Sequence, residues 1–120
     1  MDNSIQVTDN NCLVVASELV ARLRNKTFSI ESFETNIYPR PVAKVVSGLR
    51  LYDEDPIPGF DPALGYHFES DVLTILFSSK RKLEWNLSTD KVTIIFHEDG
   101  RITIEKSLLN AIFYTIVIRF

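Results

Sequence analysis

From Asn10 to Lys26 the apolar residues Cys12, Val15, Ala16, Leu19, Val20 and Leu23 recur at spacings of three and four, the repeat of a helix with one apolar face. Glu18 and Arg22, four apart, fall on the opposite side, and Thr8, Asp9 or Asn10 is available as a cap. The spacing predicts an amphipathic helix wide enough to cover one face of a sheet. Further on the period changes to two. The runs "DVLTILFSS", "KLEWNLS", "KVTIIFHE" and "RITIE" are rich in strand-favouring residues and are separated by short polar turns, one of them "EDG" at Glu98 to Gly100. They predict an antiparallel meander. Leu73, Ile75 and Phe77 alternate with Val72 and Leu76, so the first run is expected to be covered on both faces and central. Leu83, Trp85 and Leu87 alternate with Glu84, Asn86 and Ser88, which suits one buried and one wet face.

Elsewhere the pattern is weaker. Phe28 to Ile37 reads as a short strand or loop, stopped by "YPRP" at Tyr38 to Pro41, because proline lacks the amide hydrogen and pushes its predecessor toward extended geometry. "VAKVVSGLRLY" from Val42 to Tyr52 suits a strand bent at Gly48. In "SLLNAIFYTIVIRF" the first residues fit a helix and the last a strand, so a helical turn near Ser107 to Ile112 should lead into a terminal strand that buries Ile116, Ile118 and Phe120. The fold class expected is α+β: an antiparallel sheet of four to six strands, its C-terminal part a meander, with the N-terminal helix packed on one face. A chain of 120 residues has room for one core, so residues 1–120 are read as a single globular domain.

Charge sharpens this picture. Between Leu51 and Ser79 lie six acids (Asp53, Glu54, Asp55, Asp61, Glu69, Asp71) and no Lys or Arg, whereas the rest of the chain holds all 13 bases. The same stretch carries Pro56, Pro58, Gly59 and Pro62 and the aromatics Tyr52, Phe60, Tyr66 and Phe68. This reads as an ordered acidic loop of about 14 residues, where connections usually have 2 to 6. Its carboxylates would steer a basic partner, and Tyr52, Phe60 and Tyr66 would supply contact energy; Glu69 and Asp71 complete the expected surface.

Signals of chemistry are few. Neither His67 nor His97 stands at metal-ligand spacing, and His97, Glu98 and Asp99 read as a hairpin turn. "DEDPIPGFD" alternates carboxylates as calcium sites do, yet a loop started at Asp53 would have Pro58 and Leu64 where an EF-hand needs Gly and Glu. Cys12, the single cysteine, lies within the helical stripe and reads as a small core residue. With four glycines and no phosphate or dinucleotide fingerprint, no cofactor is expected. "KRK" at Lys80 to Lys82 reads as a charged turn that blunts aggregation at a strand end rather than a nucleic-acid site, given the net charge of −3.

The longest apolar stretch, Leu108 to Ile118, is broken by Asn110 and Thr115 and is shorter than the about 20 residues of a spanning helix, so no membrane partner is expected. The polar start (Asp2, Asn3, Ser4) and the lone cysteine suggest a cytoplasmic address. In size, acidity and its acidic aromatic loop the chain is similar in kind to bacterial immunity proteins that neutralise basic nuclease toxins, a likeness of composition. The expected function is therefore protein binding, not catalysis: an acidic inhibitor of a basic, toxin-like partner. One rival is an assembly or adaptor subunit that pairs through a sheet edge or the terminal strand; another is a small hydrolase or lyase using His67 or His97.

Overall fold

The helix read from the three-and-four spacing spans Cys12–Leu23 (α1), somewhat shorter than the periodic stretch. Its whole stripe is buried, and Glu18 and Arg22 form the expected ion pair at 2.9 Å on the opposite side. The cap differs from expectation. Asn11 precedes the first turn, and its side chain turns backward, accepting from Thr8 N–H and donating to the Gln6 carbonyl.

This is a computed structural model, and it describes residues 3–34, 44–53, 57–58, 60, 64–107 and 113–120. Around α1 the described residues form the strands β1 (Asn3–Val7), β2 (Phe28–Glu34), β3 (Lys44–Leu49), β4 (His67–Glu69), β5 (Val72–Leu76), β6 (Lys82–Asn86), β7 (Lys91–Phe96), β8 (Ile102–Ser107) and β9 (Phe113–Arg119). They make two sheets. Six strands pair antiparallel in the order β1-β7-β8-β9-β2-β3, and three in the order β4-β5-β6. The molecule is thus mixed α/β, with a large antiparallel sheet, a second small sheet and, among the described residues, one short α-helix.

The single meander expected from Asp71 to Glu105 is corrected here. Its four strands exist, but the chain changes sheet between β6 and β7. The turn there is one helical turn, not a tight hairpin: Asp90 N–H donates to the Asn86 carbonyl at 2.8 Å, four residues back. Ser88 and Asp90 hold it, Ser88 through the Asn86 side chain and Asp90 by accepting Asn86 N–H at 3.0 Å. The two turns of "EDG" and "ESD" are genuine hairpins. Gly100 (φ +93°) follows a turn closed by Gly100 N–H on the His97 carbonyl, and Ser70 and Asp71 both have positive φ, as a two-residue turn between β4 and β5 requires.

On the face of the large sheet that carries Val92, Ile94, Phe96, Ile102, Ile104 and Ile118, every one of these residues is buried. They share one core cluster with α1 and with Leu73, Ile75, Phe77, Leu83 and Trp85 of the small sheet. Each fully buried side chain of this kind contributes about 1.5–3 kcal/mol. The strand at the C-terminus lies between β8 and β2, so it is internal. Of its three residues expected inside, Ile118 is fully buried and Ile116 half-buried, but Phe120 is 52% exposed, where its ring meets Phe28 and the Lys26 ammonium. Ser107 ends β8 as a strand residue; the rest of the expected helical turn, 108–112, lies outside the described residues.

At Gly48 the predicted bend is present. Phe28 pairs with Leu49 and Ile30 with Val46, so β3 carries one extra residue there, and Gly48 takes φ +70°. Beyond the bulge the chain leaves the large sheet. Leu51 bridges Phe77, Tyr52 N–H donates to the Leu76 carbonyl and Ser78 N–H to the Arg50 carbonyl, which joins this strand to the small sheet.

Candidate functional site

That crossing sets the geometry of the acidic segment. It starts at Tyr52, bonded to Leu76, and ends at β4, whose His67 pairs with Thr74, so both ends sit along the same side of β5. Two of its described rings pack on each other. Phe60 is 9% exposed, its ring set edge-on to Tyr52 with centroids 6.1 Å apart, and Phe60 N–H closes a turn onto the Ile57 carbonyl. At the exit, Gly65 (φ +83°) lies so close to α1 that a Cβ there would fall 2.5 Å from a Val20 methyl. Ser17 Oγ donates to Tyr66 Oη at 3.5 Å, a second tie to the helix.

The predicted surface residues therefore divide. Asp53, Glu69 and Asp71 are exposed. Tyr52, Phe60 and Tyr66 are turned inward and hold the loop, two half-buried and one buried. Glu54, Asp55 and Asp61 lie outside the described residues. What the sequence did not signal is which apolar groups stay outside: Ile57 and Leu64 on the loop and Leu13 and Val14 on α1 are all exposed. Leu13 and Val14 could have been noticed as the two large apolar residues off the helical stripe.

The histidines stand apart, His67 on β4 and His97 just past the end of β7. His67 Nε2 is 3.1 Å from Glu69 Oε2 on the surface of β4, and His97 Nε2 is 2.7 Å from Thr103 Oγ1 beside the 98–100 turn. Asp99 accepts Arg101 N–H at 2.9 Å, and that bond, together with the Arg101 guanidinium and His97, holds its carboxyl below the usual range. Burial pushes the Cys12 thiol up, and the nearby acids Asp9 and Asp71 add to it, so the thiolate is disfavoured. Among the described residues no group of three or more His, Cys, Asp or Glu converges as a metal site would, and no helix is long and apolar enough to cross a membrane.

A second feature lies at the outer edge of β6. Phe77 N–H donates to the Arg81 carbonyl and Leu87 N–H to the Asp71 carbonyl, so the odd-numbered residues of β6 exchange bonds with β5. The backbone groups of Lys82 and Glu84 then point away from the sheet. Lys106 of β8 meets them: its Nζ donates to the Glu84 carbonyl at 3.3 Å and lies 3.4 Å from Asp90 Oδ2, a carboxylate with a nearly buried side chain. Beside this edge runs a groove of about 330 Å³ lined in part by Ser32, Trp85, Lys106, Tyr114 and Ile116. Trp85 Nε1 is buried and, among the described residues, has no hydrogen-bond partner.

Compared with protein-family models, with curated proteins and with solved structures, the chain matches none.

Proposed function

We propose that this chain is a protein-binding module, an acidic inhibitor that neutralises a basic, nuclease-like toxin domain in the cytoplasm. The observation that carries the reading is the segregation of charge: six acids and no Lys or Arg from 51 to 79, with Asp53, Glu69 and Asp71 all solvent-exposed. A loop whose ends are tied to one strand loses little entropy on docking, and carboxylates on it can occupy a groove in which such an enzyme would hold phosphates. The same reading takes α1 as lying on the Ile94, Ile104 and Ile118 face of the large sheet. The shared cluster and the Arg22 guanidinium, 4.2 Å above the Phe96 ring, support it.

The test uses the product of a neighbouring reading frame, if basic, as the partner. Asp53→Lys, Glu69→Lys and Asp71→Lys together should slow association at least tenfold at low salt and flatten its salt dependence. Unchanged association rates would sink the reading. Converting both His67 and His97 to Gln should leave binding intact, which separates this reading from a histidine-dependent enzyme.

A second reading, assembly through a sheet edge, is favoured by one observation: the outward backbone of β6 beside a groove, where Lys106 takes the Glu84 carbonyl but Lys82 also faces outward. The terminal strand is not available for this, because β9 is paired on both sides. A mass that rises with concentration in light scattering, and falls back when Glu84 is replaced by Pro, would support it.

A further inference from the structure

The acidic segment does not stand alone on its surface. Leu13, Ser17, Val20 and Arg24 follow one another at steps of four, three and four, so they form one stripe along α1. The chain from Gly65 onward runs along this stripe in the opposite direction: Gly65 against Val20, Tyr66 against Ser17, and Asp71 with Asp9 close enough to Cys12 to disfavour its thiolate. The stripe's last member toward the N-terminus, Leu13, is 47% exposed, its neighbour Val14 is 72% exposed, and Leu64 at the other end of the run is 52% exposed. Half-buried Tyr66 lies between them.

Around Leu13 and Val14 the exposed charges are mostly acidic. Asp9 and Asp71, which both act on Cys12 next to Leu13, are exposed, as are Glu69, two residues before Asp71, and Glu18, one turn past Val14, its charge shared with Arg22. Arg24 and Lys26 follow the helix, and the Arg24 guanidinium reaches the other end of the run, 3.4 Å from where a Cβ on Gly65 would stand. An apolar centre inside a charged rim is the anatomy of an interface, whereas carboxylates alone steer a partner without holding it.

We propose that the docking surface for the basic partner is this composite face, with Leu13 and Val14 as apolar anchors and Asp9, Glu69 and Asp71 as the rim. The inference rests on the basic-partner reading and places its contacts. The occupant it fits is a basic amphipathic segment, its lysines or arginines on the rim and its aliphatic side chains on Leu13 and Val14. Phe60 and Tyr52 take no part in contact, because their rings face each other inside the loop.

The experiment is an NMR titration of the ¹⁵N-labelled full chain with a synthetic amphipathic helix of alternating Lys and Leu blocks. Amide shifts should cluster at Leu13, Val14, Ser17, Tyr66 and Asp71. Leu13→Gln with Val14→Gln, which keeps good helix formers at exposed positions, should weaken binding at least fivefold, while Val45→Gln on β3 should not. Saturable binding whose shifts centre on Asp53 to Phe60, untouched by the Leu13 and Val14 changes, would overturn this placement and leave the acidic-surface reading standing. Absence of saturable binding at low salt would overturn both.

Discussion

Two glycines with the same backbone sign have different reasons for it. Gly48 at φ +70° has nothing within 4 Å of where a Cβ would stand, while Gly65 at φ +83° would place one against Val20. Gly48→Ala should therefore lose only the left-handed strain, about 1 kcal/mol, and Gly65→Ala should add overpacking for about 2–4 kcal/mol in all. Urea denaturation of both variants checks this, and equal losses would show that α1 and the loop exit are not in contact. Asp99 gives a pH effect. Its folded carboxyl is held low, chiefly by the Arg101 amide, so its contribution to stability is complete above the ordinary carboxyl value of about 4 and is lost as pH falls through the lower folded value. In Asp99→Asn that part of the acid dependence should vanish, seen as a shallower fall in melting temperature on acidification.

Among the elements, β9 has the most to lose. Ile116 and Ile118 face Ile104 and Ile102 on one side and Ser32 and Ile30 on the other. Deleting residues 115–120 removes the middle of the large sheet and should leave a chain that unfolds or aggregates; a truncated monomer with an unchanged melting temperature would refute it. The Lys106 contact is the tie between β8 and the β6–β7 turn. Lys106→Met should cost about 1–2 kcal/mol, because Asp90 keeps its hydrogen bond from Asn86 but loses its cation in a nearly buried position. Lys82→Met, whose pair with Glu84 is exposed on both sides, should stay within about 0.5 kcal/mol. Equal effects, measured by chemical denaturation, would show that burial of the Asp90 carboxylate is irrelevant.

At the scale of the molecule, the two sheets share one cluster, whereas the unbalanced negative charge lies in one segment. The carboxylates tested by charge reversal make few structural bonds: Asp53, Glu69 and Asp71 are exposed. The triple change to Lys should thus move the melting temperature by no more than a few degrees while altering association, a separation that differential scanning calorimetry and stopped-flow binding can measure together. A large loss of stability would mean that the acids hold the fold and are not reserved for a partner.

The helix, the strands β5 to β8 and the 98–100 hairpin were legible in the sequence because each depends on a local period or on turn chemistry within a few residues. The bulge at Gly48 was legible for the same reason. The expected meander failed at Asn86 to Asp90, where a polar turn of ordinary length hid a four-residue backward bond that redirects the chain. β1 left no signal, since Ile5 and Val7 alternate over too few positions to be distinguished from chance. The candidate site divided in the same way. Its charge could be counted from the sequence, because a carboxylate is negative wherever it lies. Which of its rings face solvent could not, because Tyr52, Phe60 and Tyr66 point where long-range neighbours allow: onto each other and onto α1. Composition and local periodicity determined the elements and the charge of this protein; the pairing of distant strands, which no local pattern encodes, decided how they are arranged and which side chains remain outside.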